Sequence, residues 1–206
     1  MRFKKSEYYA IGLNVLLTSA YCWYLFRTLL KWPGHALLSG GGDGSKNYFT
    51  YLYHVLYGKG WHFDGMNYPW GDHISFTDNQ PLLALPLSYL QSSFHLSLND
   101  LLGIMNLLIP LLLIATSVAL CRFFIRMQVN VYLSALFSVL ITFLAPNFYR
   151  IFGHFGLCYT FNLVLTLYWL FRYESTSHKR YLMGLLVLNF LMAFLHMYHL
   201  LLGMLL

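Results

Sequence analysis

The residues able to do chemistry are few in this sequence, and they fall into short clusters. Asp43 stands in Ser39-Gly-Gly-Gly-Asp-Gly44, where glycines on both sides let the backbone approach a ligand closely and aim the carboxylate at it. The plainer alternative is a solvated turn that Asp43 merely shapes. Lys46, just beyond, is a basic candidate for substrate binding. Tyr68-Pro-Trp-Gly-Asp-His73 is dense in turn formers, rings and polar groups. Trp61, Tyr68 and Trp70 can stack on sugar faces or stand in an aromatic belt at a bilayer surface. Asp72, His73 and Asp78 can contribute metal ligands or hydrogen bonds to a phosphate.

Arg150 and His154 share Asn147-Phe-Tyr-Arg-Ile-Phe-Gly-His154. A guanidinium is a planar fork that matches two phosphate oxygens; otherwise it snorkels to lipid headgroups. His196 and His199 lie three apart, a spacing that on a helix puts both on one face and suits a metal or a phosphate, or simply hydrogen-bonded packing. Cys22, Cys121 and Cys158 all fall in apolar runs with no CxxC spacing, which reads as buried free thiols.

The elements that must position these groups follow from composition. Apolar residues make up 58% of the 206-residue chain and charged residues only 10%, against about 25% charged in soluble domains. The chain is therefore expected to be all-α and polytopic, with lipid as its solvent. Runs near the 20-residue length of a spanning helix occur at Tyr8–Leu30, Asp100–Cys121, Val129–Ala145, Gly156–Tyr173 and Tyr181–Leu206, about five crossings. The first run continues past Thr18-Ser19-Ala20 through Trp23 and Leu30, so it reads as an uncleaved span, not a signal peptide. The last ends without a polar tail, so a carboxy-terminal half is expected to follow.

Lys and Arg resist translocation, which orients such a protein. With the amino terminus inside, Arg2, Lys4, Lys5, Arg122, Arg126, Arg172, Lys179 and Arg180 all fall on the cytoplasmic side. The net charge of +6 thus reads as topology, and no nucleic-acid motif accompanies it. The expected localisation is the cell membrane.

Residues 31–99 form a large loop between the first two spans, too aromatic to be disordered. Ser45 is expected to cap a helix from Lys46 to Tyr57 closed by Gly58. Phe49, Leu52, Tyr53 and Leu56 would form one face, and Asn47, Thr50 and His54 another, as in a helix lying on the membrane. A second short helix is expected at Leu82–Leu90, opened by Asp78 and Pro81 and bent by Pro86. Asp43, Asp72, Asp78, Arg150, His154 and the histidine pair would then all meet at the outer face.

This arrangement resembles the amino-terminal portion of the GT-C superfamily, the multi-spanning glycosyltransferases that use polyprenyl-phosphate sugars. The matching elements are Gly42-Asp43-Gly44, the helix after Ser45, and Leu82–Leu90 leading to the second span. The resemblance implies sugar transfer with inversion from a polyprenyl-phosphate donor on the extracytoplasmic face. Asp43 would stand for the family's first-loop acid, a catalytic base or metal-associated residue. The family often carries a further acidic motif in its second outer loop, where this chain has Arg150 and His154. A divalent metal therefore stays open. The rival expectation is a transporter or flippase for a lipid-linked or anionic substrate; a non-catalytic membrane subunit is a third.

Overall fold

The computed structural model describes residues 5–58 and 60–205; Arg2, Lys4, Lys59 and Leu206 lie outside that range. The chain is all-α, with one two-residue-per-strand hairpin in its loop. Its helices are α1 (Lys5–Lys31), α2 (Gly42–Tyr57), α3 (Pro81–Phe94), α4 (Leu98–Arg126), α5 (Val131–Leu144), α6 (Phe161–Thr176), α7 (Lys179–Ala193) and α8 (Met197–Leu205). The hairpin pairs β1 (His62–Phe63) with β2 (Asp72–His73), and 3₁₀ turns span Pro146–Phe152 and Phe155–Cys158.

Helices α1 and α4 are long and apolar enough to cross a membrane, and α5 with the 3₁₀ segment after it makes a third candidate bent by 48°. At 27 and 29 residues, α1 and α4 extend about 40 Å at 1.5 Å per residue. Their outward faces carry Leu16, Trp23, Tyr24 and Leu111, all exposed, as a lipid-facing surface requires. Inside the α1–α4–α5 packing, Asn14 donates through Nδ2 to Ser117 Oγ at 2.8 Å and Ser138 Oγ at 2.7 Å. Thr18 also donates to Ser117. Such interhelical bonds contribute about 0.6 kcal/mol each in a membrane.

α4 starts on a reciprocal cap: Ser97 Oγ accepts from the Asp100 amide, and Asp100 Oδ2 accepts from the Ser97 amide. α5 starts on Asn130, whose Oδ1 takes the Tyr132 and Leu133 amides. Ala10, Cys121, Ile125 and Ala135 cluster together, and Phe123 meets Phe171 edge-on. The start of α1, the end of α4, the start of α5 and the end of α6 thus share one end of the bundle, with Arg122, Arg126, Arg172, Lys179 and Arg180 near it.

The large loop folds over the opposite end. Asn106 of α4 donates to the Pro33 and Ala36 carbonyls and accepts from Tyr48 of α2. Tyr51 donates to the Leu101 carbonyl. Several sequence expectations are corrected in this region. α2 begins a turn early, at Gly42, where φ is +53°; its N-cap is Gly41, and Ser45 caps nothing. Its polar face is buried as well as part of its apolar one. Asn47, Thr50 and His54 are buried, with Asn47 bonded to the Gly153 carbonyl, and Leu52 and Leu56 pack on the core, while Phe49 and Tyr57 face outward in an aromatic ladder through Tyr53. Burial lowers the pKa of His54, so its imidazole packs neutral beside Phe63. α3 runs a turn past Leu90, to Phe94.

The last two expected spans differ as well. Residues 155–158 form a 3₁₀ turn, and α6 opens only at Phe161. The expected fifth helix breaks between α7 and α8 without a proline or glycine. The Phe194 carbonyl, instead of continuing the helix, accepts the Leu82 amide of α3 at 2.7 Å, and the chain restarts when His196 Nδ1 accepts the Tyr198 amide.

Candidate functional site

That break puts His196 at the mouth of α8 and not on a helix face shared with His199. The two rings stand 6.2 Å apart at a steep angle. His199 turns inward and donates from Nε2 to the Gly156 carbonyl at 2.6 Å. Gly156 is required there, because a Cβ would stand 2.7 Å from the His196 ring.

The 3₁₀ segment after α5 brings Arg150 and His154 to the same place. Asp43, in the first turn of α2, lies 3.3 Å from His154 Nε2 through Oδ2. Asn47 holds the two segments together: its buried Nδ2 donates to the Asp43 carbonyl at 2.7 Å and to the Gly153 carbonyl at 2.8 Å. Asp43 therefore sits at a helix N-terminus, where the peptide dipoles favour negative charge, and not in a free glycine turn.

A second carboxylate–histidine pair flanks the first. Asp78 accepts from Lys46 Nζ at 2.9 Å through Oδ2, and its Oδ1 lies 3.5 Å from His196 Nε2. Hydrogen bonding from His196, reinforced by Lys46, holds the Asp78 carboxyl down at about 2 although partial burial opposes it. Asp78 has a left-handed backbone, φ 59°, which turns its side chain toward both partners.

Around these groups lies an open cavity of about 600 Å³, lined by Asp78, Asn147, Arg150, His154, His196 and His199 with Leu157, Tyr198 and Leu202. No carboxylate among the described residues pairs with Arg150; Asp43 and Asp78 are engaged by the histidines and Lys46. The cavity can therefore accept an anion at Arg150 and present the Asp78 carboxylate beside it, with Asp43 behind His154. Among the described residues, no group of three or more His, Cys, Asp or Glu side chains is arranged to hold a metal.

Of the sequence candidates, Asp78, Arg150, His154, His196 and His199 line the cavity, and Asp43 and Lys46 join it only as partners of His154 and Asp78. Trp70, Asp72 and His73 do not line the cavity. Trp70 is 82% exposed, Asp72 accepts from Asn67, and His73 stacks on Trp61 with centroids 5.9 Å apart. Asn47 and Gln80 escape a reading of charged residues. The only signal for Asn47 is its position one turn after Asp43.

A family model described as "Domain of unknown function (DUF6311)" matches residues 15–206. The chain belongs to the DUF6311 family. No curated protein and no solved structure matches it.

Proposed function

We propose that this chain carries the reacting centre of a membrane glycosyltransferase, which moves a sugar from a polyprenyl-phosphate donor to an acceptor hydroxyl on the extracytoplasmic side. The observation that supports this reading is that Arg150, which has no carboxylate partner among the described residues, and His154 line one open cavity at an end of the apolar bundle, with the Asp43 carboxylate paired to His154 beside it. The GT-C resemblance carried by Gly42-Asp43-Gly44 points the same way. In this reading α6 and the α7–α8 pair complete five crossings, and the Arg122, Arg126, Arg172, Lys179 and Arg180 end is cytoplasmic.

In the proposed step the Asp43 carboxylate takes the proton of the acceptor hydroxyl. The acceptor oxygen bonds to the anomeric carbon opposite the leaving group, and the bond from that carbon to the phosphate oxygen breaks with its electron pair. Configuration inverts. Negative charge grows on the departing phosphate, which is where Arg150 and a histidine on the same wall stabilise the transition state most.

The test is transfer from a polyprenyl-phosphate sugar by the protein in membranes, normalised to protein amount. Asp43→Asn keeps the shape and removes the base, and should lower turnover by about 10²–10⁴-fold with abundance unchanged. Transfer near the wild-type rate would remove Asp43 from the reaction.

One observation favours a second reading. The helix breaks at Ala145–Pro146 and Phe194–His196 gather ionisable residues, as discontinuous helices do in transporters. Translocation of a phosphate-bearing lipid across sealed vesicles without any transfer product would select that reading.

A further inference from the structure

Beside the cavity lies a smaller chamber of about 260 Å³, and the two share Asp78, His196 and Tyr198 as a common wall. Their remaining walls differ in kind. Arg150, His154 and His199 line only the large cavity. The small chamber adds Ser75 and Gln80, both uncharged, and the apolar surfaces of Phe76, Pro81, Ala193, Leu195 and Met197. Gln80 is 1% exposed; its Oε1 accepts from Tyr159 at 3.0 Å, while its Nε2 has no partner among the described residues. Gln80 also holds a left-handed backbone, φ 53°. A conformation of that kind persists where surrounding packing enforces it, and such residues gather at binding sites.

These walls exclude most ligand classes. An anion would meet no arginine or lysine on these walls, since Arg150 lines only the large cavity and Lys46 is taken up by Asp78. A purely apolar ligand would bury Ser75, Gln80 and Asp78 against groups that cannot hydrogen-bond, which is unfavourable. A neutral ring rich in hydroxyls satisfies both constraints, since its hydroxyls donate to Asp78, accept from amides, and leave a C–H face for an aromatic side chain.

We propose that this chamber is a subsite for one neutral, pyranose-like ring, with the larger cavity taking the anionic part of the substrate and the Asp78–His196 pair standing at their junction. The inference rests on the reading of this centre as one for sugar transfer, but it makes a separate claim about binding. Asp78 retains capacity for a hydroxyl, because a carboxylate offers about four acceptor positions and Lys46 and His196 use two. Ala193 lines the small chamber and not the large one, whereas Arg150 does the opposite. The two subsites can therefore be perturbed one at a time.

The experiment uses the full chain in nanodiscs. Methyl α-D-glucopyranoside, methyl α-D-mannopyranoside and methyl β-D-galactopyranoside are probed by saturation-transfer NMR, and inorganic phosphate by its ³¹P line width. The wild type should transfer saturation to the ring protons of at least one glycoside. Ala193→Phe, which fills the chamber, and Phe76→Ala, which removes an exposed ring, should each weaken that signal about tenfold while phosphate broadening persists. Arg150→Ala should do the reverse. Absence of a glycoside signal in the wild type, or its survival in both chamber variants, overturns the subsite; should Ala193→Phe fail to fold, Phe76→Ala decides alone. Glycoside binding that obeys these variants in a protein without transferase activity would remove the transfer reading and leave the subsite standing.

Discussion

Replacing Asn47 by leucine tests whether Asp43 acts from a fixed position. Leucine is close to asparagine in size, so the substitution mainly removes the two bonds of the Nδ2 group, 2.7 Å to Asp43 and 2.8 Å to Gly153. Each neutral bond contributes about 1 kcal/mol net, and both carbonyls are only partly buried, so water can replace the lost donor. The expected loss of stability is therefore about 2 kcal/mol, visible as a lower melting temperature in detergent. The kinetic effect has a different origin. Without the clamp, the first turn of α2 separates from the segment carrying His154, and a displacement of about 1 Å at a reacting group can lower the rate about 10²-fold. Turnover per folded molecule, measured at a temperature where the variant remains folded, should fall by that order. In an Asp43→Asn background the same substitution should lower turnover little further, because both changes remove one function. Full turnover by Asn47→Leu, or losses that simply multiply in the double variant, would refute the positional argument.

Asp78 makes stability depend on acid. Its carboxyl is held at about 2 against an ordinary 3.8, so its contribution is complete above the ordinary value and disappears as pH falls through about 2; the shift corresponds to about 2 kcal/mol. Melting temperatures of wild type and Asp78→Asn should converge between pH 4 and 2, and a gap that stays constant would refute this. Arg150→Lys keeps the charge but loses the planar fork, so KM for the phosphate-linked donor should rise about tenfold with expression unchanged; an unaltered KM would place the phosphate elsewhere. Cysteines introduced at Ser45 and Ser92 should react with an impermeant thiol reagent from outside intact cells while one at Ser175 should not. Labelling of Ser175 alone would reverse the orientation.

The helical class and the first two spans were legible because they depend on composition summed over long windows, to which Tyr8–Leu30 and Asp100–Cys121 each contribute many residues. The convergence of Asp43, Asp78, Arg150 and the histidines was legible for a related reason: a bundle with polar groups at the same ends of its apolar runs has one place to put them. The start of α2 was not, since glycines at 40–42 read locally as a turn, and only the Asn47 bonds to Asp43 and Gly153 select the helix. The buried polar face of α2 was hidden similarly. Periodicity puts Asn47, Thr50 and His54 on a face of their own, but the Gly153 carbonyl that takes Asn47 and the Phe63 ring beside His54 come from the fold. The separation of His196 from His199 lay furthest out of reach, because nothing in Ala193-Phe-Leu-His196 breaks a helix by itself.

That separation depends on a bond between two main chains, from the Leu82 amide to the Phe194 carbonyl. Its two ends lie four residues after Asp78 and two before His196, so one contact sets the distance between the members of an ion pair drawn from opposite parts of the sequence. A main-chain bond carries no instruction in side-chain identity. The bond itself asks nothing of the side chains at 82 and 194 beyond excluding proline at 82, which lacks the amide hydrogen; the Phe194 ring is held separately, against Trp61 and Phe190. The coupling of the loop to the last helices is thus written into the fold in a form that residue-by-residue comparison of sequences would register as two unremarkable hydrophobic positions.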